Sequence, residues 1–303
     1  MKPLASEDIT GNWATVLLTF NEDDSIDYTL LKEQIDVLIE SGVNGVYCNG
    51  TTTEFYNQTE EEFDTIAALL AEKCAAANTP FQIGVSHMSP ILSLNRLLRT
   101  KALKPGAFQI ILPDWFPTTF DDRVAFLKKM ADAADGIGLV LYNPKWAKVT
   151  LNPEEIAVLV KEIPEIVGVK GLWDKKTRAL CPDLSIFVPG HYLATFISEG
   201  ASGSYSNVAC LNPAAAQCWY EMMLTDSSSA LKLEQRIQSF MSDHIRPFIS
   251  EQGYSNHAVD KYMACVGGWT EISSRLRWPY KSIPASEVAR LRPIAKNLLP
   301  EFF

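Results

Sequence analysis

Short apolar runs alternate with longer amphipathic ones along most of the chain. Short continuous apolar runs read as strands buried on both faces. Eight candidates stand at 13–20 (WATVLLTF), 45–50 (GVYCNG), 81–86 (FQIGVS), 107–113 (AFQIILP), 138–143 (GLVLYN), 165–170 (EIVGVK), 184–189 (LSIFVP) and 201–206 (ASGSYS). Between them the period changes. From Tyr28 to Glu40, Leu30, Leu31, Ile35, Leu38 and Ile39 recur at helical spacing. Thr59 followed by Glu60, Glu61 and Glu62 predicts a helix start, because carboxylates favour the positive end of the helix dipole. Further helices are predicted from about Pro90, after Asp121 and from Pro153, proline being favoured in a first turn.

Repeated strand-then-helix units define an α/β chain, either a (β/α)8 TIM barrel or a doubly wound sheet. Eight units are used by residue 206, and no Gly-rich phosphate loop follows an early strand, so the pattern favours the barrel. Beyond 206 the chain reads as helical throughout, with a Ser-rich break from Asp226 to Ser229. The expected organisation is a barrel over 1–225 and a C-terminal helical extension over 226–303 packed on it.

Composition narrows the partners. With 303 residues and 47% hydrophobic content, the chain can bury one large core. A formal net charge of −9 and no long basic run argue against a nucleic-acid or anionic-membrane partner. No apolar stretch approaches the ~18 residues of a spanning helix, and the opening MKPLASEDITGNW lacks a charged-then-apolar leader pattern. Cys48, Cys74, Cys181, Cys210, Cys218 and Cys265 include no C-x-x-C pair and read as reduced thiols, so the expected location is cytoplasmic. His87, His191, His244 and His257 lie too far apart in sequence to suggest a metal site. His191 stands apart from the rest, at the end of the seventh strand.

Barrel enzymes carry their chemistry at the C-terminal ends of the strands. Those ends read Asn49-Gly50-Thr51-Thr52-Thr53-Glu54, Pro113-Asp114-Trp115, Tyr142-Asn143-Pro144 and Lys170. Lys170 closes an apolar strand. Lost hydration there lowers an amine's pKa and frees it as a nucleophile, although such a lysine can equally reach the rim or pair with a carboxylate. Tyr142 on the neighbouring strand could move protons, or be a core tyrosine with a satisfied hydroxyl. The Gly50–Thr53 turn offers N–H groups and hydroxyls suited to a carboxylate, or simply a helix cap.

Taken together, GVNGVYCNGTTTEFYNQTEEE, LVLYNP, IVGVK and FVPGHYLATFISEGASGSYSNV resemble the dihydrodipicolinate synthase and N-acetylneuraminate lyase family of Schiff-base-forming pyruvate aldolases. The resemblance runs over nearly the whole chain and is weakest in the last third. It implies a (β/α)8 barrel with C-terminal helices, assembled as a homotetramer or homodimer. It also implies an imine between Lys170 and a small-molecule 2-oxo acid, with no cofactor beyond that covalent link. Lys170, Tyr142 and Thr51 are then the candidate catalytic residues. Gly50, Thr52, Trp115, Lys148 and Tyr205 are the candidate substrate-binding ones, Tyr205 through its backbone.

Departures from the family pattern argue against dihydrodipicolinate synthase activity. Thr53 stands in place of a glycine, which implies a reshaped turn. Trp115 replaces a tyrosine of a proton relay, and indole cannot exchange a proton in that way. The arginine expected after Tyr142 is absent, leaving Lys145 or Lys148 to meet a carboxylate without arginine's bidentate geometry. A pocket lined by Trp115, Trp146 and Trp173 would suit a substrate with an apolar end. The resulting expectation is a lyase or aldolase acting on pyruvate or a related 2-oxo acid. The alternatives are a dehydratase of the same family and a degenerate 2-oxo acid binding protein.

Overall fold

The computed structural model describes all residues from Met1 to Phe303. Eight parallel strands close into a barrel in sequence order: β1 Gly11–Thr15, β2 Gly45–Cys48, β3 Phe81–Gly84, β4 Ala107–Ile111, β5 Gly138–Tyr142, β6 Ile166–Lys170, β7 Ser185–Phe187 and β8 Gly203–Tyr205. Helices α1 (Tyr28–Glu40), α2 (Glu60–Ala77), α3 (Pro90–Thr100), α4 (Phe120–Ala134), α5 (Pro153–Glu162), α6 (Lys175–Leu180), α7 (Leu193–Ser198) and α8 (Val208–Leu211) follow the strands. Then come α9 (Pro213–Thr225), α10 (Ser227–Phe240), α11 (Arg246–Ser250), α12 (Asn256–Gly267) and α13 (Ala285–Leu298), with a π-helical turn over Met241–Ile245 between α10 and α11.

Local sequence explains why the helices start where they do. Thr59, Thr119 and Asn152 each cap a helix with their side chain, while Glu62, Asp122 and Glu155 reach back to the capping residue's own N–H. Each of these boxes satisfies donors that the first helical turn would leave unpaired. The Ser-rich break is itself a helix start, with the Asp226 side chain accepting from Ser229 N–H.

Two expectations change. The first strand lies at Gly11–Thr15, and Leu17 to Phe20, though buried, leave the sheet to build the loop above it. Burial alone made that run look like strand, since apolar residues in a packed loop carry the same signature. The last third is not helical throughout, because 268–284 is irregular. Charged contacts hold that segment: Arg275 pairs with Asp24 at 2.7 Å and Arg277 with Glu62 at 2.6 Å.

The main core lies between strands and helices and includes Phe240, Tyr262, Leu291 and Phe302 from the C-terminal region. The barrel interior is filled separately by Ile9, Trp13, Tyr47, Val140, Phe187 and Tyr205 among others. Closure of β8 on β1 needs Gly203, where a Cβ would lie 2.3 Å from the Gly11 carbonyl oxygen. With its middle plugged by aromatic rings, the barrel leaves room for chemistry only at the strand ends.

Candidate active site

Lys170 ends β6, with Tyr142 of β5 and Phe187 of β7 as its register partners. Partners in parallel register share a face, so the amine and the phenol of Tyr142 emerge side by side. The Lys170 Nζ lies 4.3 Å from the Tyr142 ring centre, 5.1 Å from that of Tyr205 and 5.5 Å from that of Tyr47. It forms no ion pair: no carboxylate oxygen comes within 4.0 Å. Burial pulls its pKa down to about 8, with Asp260 opposing the fall. An unpaired amine among aromatic rings is held poised between ammonium and nucleophile.

A cavity of about 490 Å³ opens over this amine. Thr51, Thr52, Tyr142, Lys170 and Tyr205 all line it, as does His191. The N–H groups of Thr51 and Thr52 find no acceptor within the chain. Burial raises the Tyr142 phenol, while the Thr51 hydroxyl beside it works the other way. Tyr205 contributes its ring, which is buried beneath Lys170, and its hydroxyl donates to Gln82 Oε1.

Three of the sequence candidates lie outside the lining. Gly50 makes room for the Tyr47 ring, since a Cβ there would stand 2.7 Å from Tyr47 Cε2. Trp115 is 72% exposed on the rim. Lys148 is tied to the same rim, its Nζ donating to the Trp115 carbonyl at 2.8 Å and its N–H to Asp114 at 2.7 Å. No group of three or more His, Cys, Asp or Glu side chains is gathered as a metal site would require.

The sequence profile of the dihydrodipicolinate synthetase family matches residues 8–297. The chain belongs to that family. Among curated relatives of this family member, the 4-hydroxy-tetrahydrodipicolinate synthase of Staphylococcus carnosus is 27% identical over 261 residues, covering 81% of this chain and 87% of the relative. Two solved structures share the family fold at a TM-score of 0.84 each. The Escherichia coli prophage protein YagE, in complex with pyruvate, is 19% identical and covers 96% of this chain and 98% of its own. The Ruminococcus gnavus sialic acid aldolase is 17% identical and covers 98% and 100%.

The departures from the family pattern now have positions. Thr53 needs no glycine-like backbone: the left-handed residues of the turn are Asn49 (φ 56°) and Glu54 (φ 57°). Its hydroxyl instead donates to the Val16 carbonyl at 2.7 Å and ties the turn to the end of β1. Of the three tryptophans expected around the pocket, only Trp146 lines it. Trp173 packs on Phe196 and donates to Glu199, because the loop after β6 turns it toward α7.

Sequence reasoning missed the roof of the site. Asn256, Val259 and Asp260 of α12 line the cavity, with Ser242 and Arg246 from the π-helical turn and α11. Thr52 Oγ1 donates to Asp260 Oδ2 at 2.8 Å, and burial pushes the Asp260 carboxyl up to about 6. A signal was present. Asp260-Lys261 is the only charged pair in a helix whose neighbours Ala258, Val259, Tyr262, Met263, Ala264 and Val266 are all buried. Charges in such a run need partners, and partners across the fold mark a shared site.

Proposed function

We propose that this protein is a class I, Schiff-base-forming lyase or aldolase that acts on pyruvate or a related 2-oxo acid through Lys170. The observation that carries this reading is the unpaired Lys170 amine, lowered to about 8 by burial and open to a cavity at the strand ends. The neutral amine adds to the ketone carbon, and loss of water leaves a protonated imine. That imine withdraws electrons from the adjacent carbon, so a C–C bond breaks or forms through an enamine. Tyr142, hydrogen-bonded by the Thr51 hydroxyl, orients the substrate and passes protons with it on this reading. The unsatisfied N–H groups of Thr51 and Thr52 offer a cradle for the 2-oxo acid's carboxylate. The pyruvate held by YagE and the aldolase activity named for the Ruminococcus gnavus protein agree with this assignment.

The second substrate meets the part of the cavity lined by Trp146, His191 and Arg246. On this reading the barrel over 1–225 supplies the imine chemistry and the helices over 226–303 cover its mouth. No helix is long and apolar enough to cross a membrane. Six free cysteines, five of them buried, suit a reducing cytoplasm. A homotetramer or homodimer is the expected assembly, which sedimentation would read directly.

The test is covalent. Incubation with pyruvate and borohydride should add one reduced pyruvate, mapped to the peptide carrying Lys170. No adduct with pyruvate or bulkier 2-oxo acids would overturn the reading.

A further inference from the structure

We propose that Asp260 is the acid–base residue of this site: a carboxyl from α12 that exchanges a proton with Lys170 during imine formation. The proposal rests on the Schiff-base reading above. It starts from a gap, because the residue at 115 that the family resemblance makes part of a proton relay is an indole, exposed on the rim. A carboxyl lines the cavity itself. Asp260 is 9% exposed, lines the same cavity as Lys170, and accepts from Thr52 through Oδ2, leaving Oδ1 without a partner in the chain.

Its position is built, not incidental. Three residues of α12 grip the segment after β2 at successive points. His257 meets the Tyr56 hydroxyl at 2.8 Å, Asp260 takes the Thr52 hydroxyl, and Lys261 donates to Glu54 Oε1 at 2.8 Å. Lys261 and Glu54 are both fully buried, which fixes the helix against the turn. The ionisable groups around Asp260 are Lys170 from β6, Cys210 from α8, Tyr47 from β2, Tyr142 from β5 and Tyr56 from the turn. Burial keeps the thiol and the three phenols protonated and lowers the imidazoles of His191 on the same cavity and His257 one turn earlier on α12, so the proton exchanged near neutrality is shared by Lys170 and Asp260.

The step balances on these two groups. Asp260 as carboxylate takes a proton from the Lys170 ammonium through a water in the cavity the two groups share. The amine then adds to the ketone carbon, and its surplus proton passes to the ketone oxygen to give a neutral carbinolamine. Protonated Asp260 gives its proton to the carbinolamine hydroxyl, which leaves as water. The product is a protonated imine and an Asp260 carboxylate. The proton transfer before addition also removes the negative charge that would otherwise face the substrate's own carboxylate near Thr52.

The reactive form holds one proton between the two groups, so imine formation should follow a bell. It falls below about 6, where both groups are protonated, and above about 8, where neither is. The experiment is the rate of borohydride-trapped pyruvate adduct in the wild-type protein and in Asp260→Asn, over a pH series. Asparagine still accepts the Thr52 hydroxyl and cannot carry the proton. The variant should be slower by ~10²-fold or more at neutral pH, reach the same final adduct yield, and lose the alkaline fall. A wild-type rate with an unchanged bell overturns the proposal. A raised pyruvate KM with an unchanged profile overturns it as well, in favour of a positioning role. Thr52→Val gives an independent reading: without that hydroxyl the acid limb should move to higher pH, and an unmoved limb overturns the assignment. Absence of any adduct on the wild-type protein counts against the Schiff-base reading instead.

Discussion

Two lysines of this protein have their pKa lowered by burial, Lys261 fully enclosed and Lys170 half-buried, and they are held in opposite ways. Lys261 lies on α12 with its side chain fully enclosed, donating to Glu54 Oε1 at 2.8 Å and to the Arg275 carbonyl at 2.7 Å. Lys170 lies at the end of β6, touches aromatic faces instead of a carboxylate, and opens to the cavity. Burial lowers the pKa of both. At Lys261 the Glu54 carboxylate opposes that fall by direct contact, and the ammonium form has a fixed partner. At Lys170 the opposing charge is Asp260, which belongs to no ion pair with it. A shifted pKa therefore does not mark a nucleophile by itself; the missing partner and the open cavity do.

The sharpest way to break the comparison is to exchange the roles by mutation. Lys170→Ala should abolish the pyruvate adduct and any turnover, read by intact mass and by activity. A trapped adduct on another lysine, Lys261 included, would end the distinction. Lys261→Met should leave the final adduct yield per folded molecule near wild type and cost about 3–5 kcal/mol of stability, because Glu54 is left as an unpaired buried charge. Chemical denaturation measures that cost, and its pH dependence has a definite sign. Burial already raises the Glu54 carboxyl, and losing Lys261 raises it further. The folded state then holds a proton that the unfolded state releases, so stability falls as pH rises through that window. The deficit should be larger at about pH 8 than at about pH 5, near the carboxylate range.

The same substitution at the other lysine should have the opposite effect. Lys170→Met removes a half-buried, unpaired ammonium and should stabilise the fold by about 1 kcal/mol, a common gain when a strained functional group is replaced. The wild type carries its full penalty below about 8, where the folded ammonium is charged. That penalty shrinks as pH rises from there toward 10.5, the ordinary lysine value that the unfolded chain keeps, so the gain should fade in alkaline buffer. A Lys170→Met protein with a lower melting temperature would imply a stabilising partner at that site.

The sequence made the strand-end half of this comparison legible and hid the other. Lys170, Tyr142 and the Thr51–Thr52 turn stand at strand ends, and strand ends follow from the alternating pattern that defines a barrel. Asp260 and Glu54–Lys261 depend on contacts spanning more than two hundred residues, such as Thr52 to Asp260 and Glu54 to Lys261. No local period encodes such a pairing. The tryptophans illustrate the same limit. Trp115, Trp146 and Trp173 each follow a strand end, yet loop conformation turns only Trp146 to the cavity. The first strand was misplaced for a related reason, since Leu17 to Phe20 are buried by packing without being paired in the sheet.

Position 115 offers the smallest expected effect and tests how far a family pattern can be carried onto one residue. The sequence alone makes Trp115→Tyr a repair, restoring a hydroxyl to a proton relay. In the folded protein the side chain is 72% exposed, and its carbonyl is clasped by Lys148 from the next loop. A tyrosine in the same rotamer would end in solvent at the rim, outside the cavity that holds Tyr142 and Thr51. Trp115→Tyr should therefore change the rate of pyruvate trapping by less than about twofold and stability by less than about 0.5 kcal/mol, the range of surface substitutions. It should not confer condensation with aspartate semialdehyde. A large gain in either rate would mean that the loop after β4 folds over the cavity when substrate binds, bringing residue 115 to the phenol of Tyr142. Lys148→Ala, which releases that loop, would then enlarge the gain.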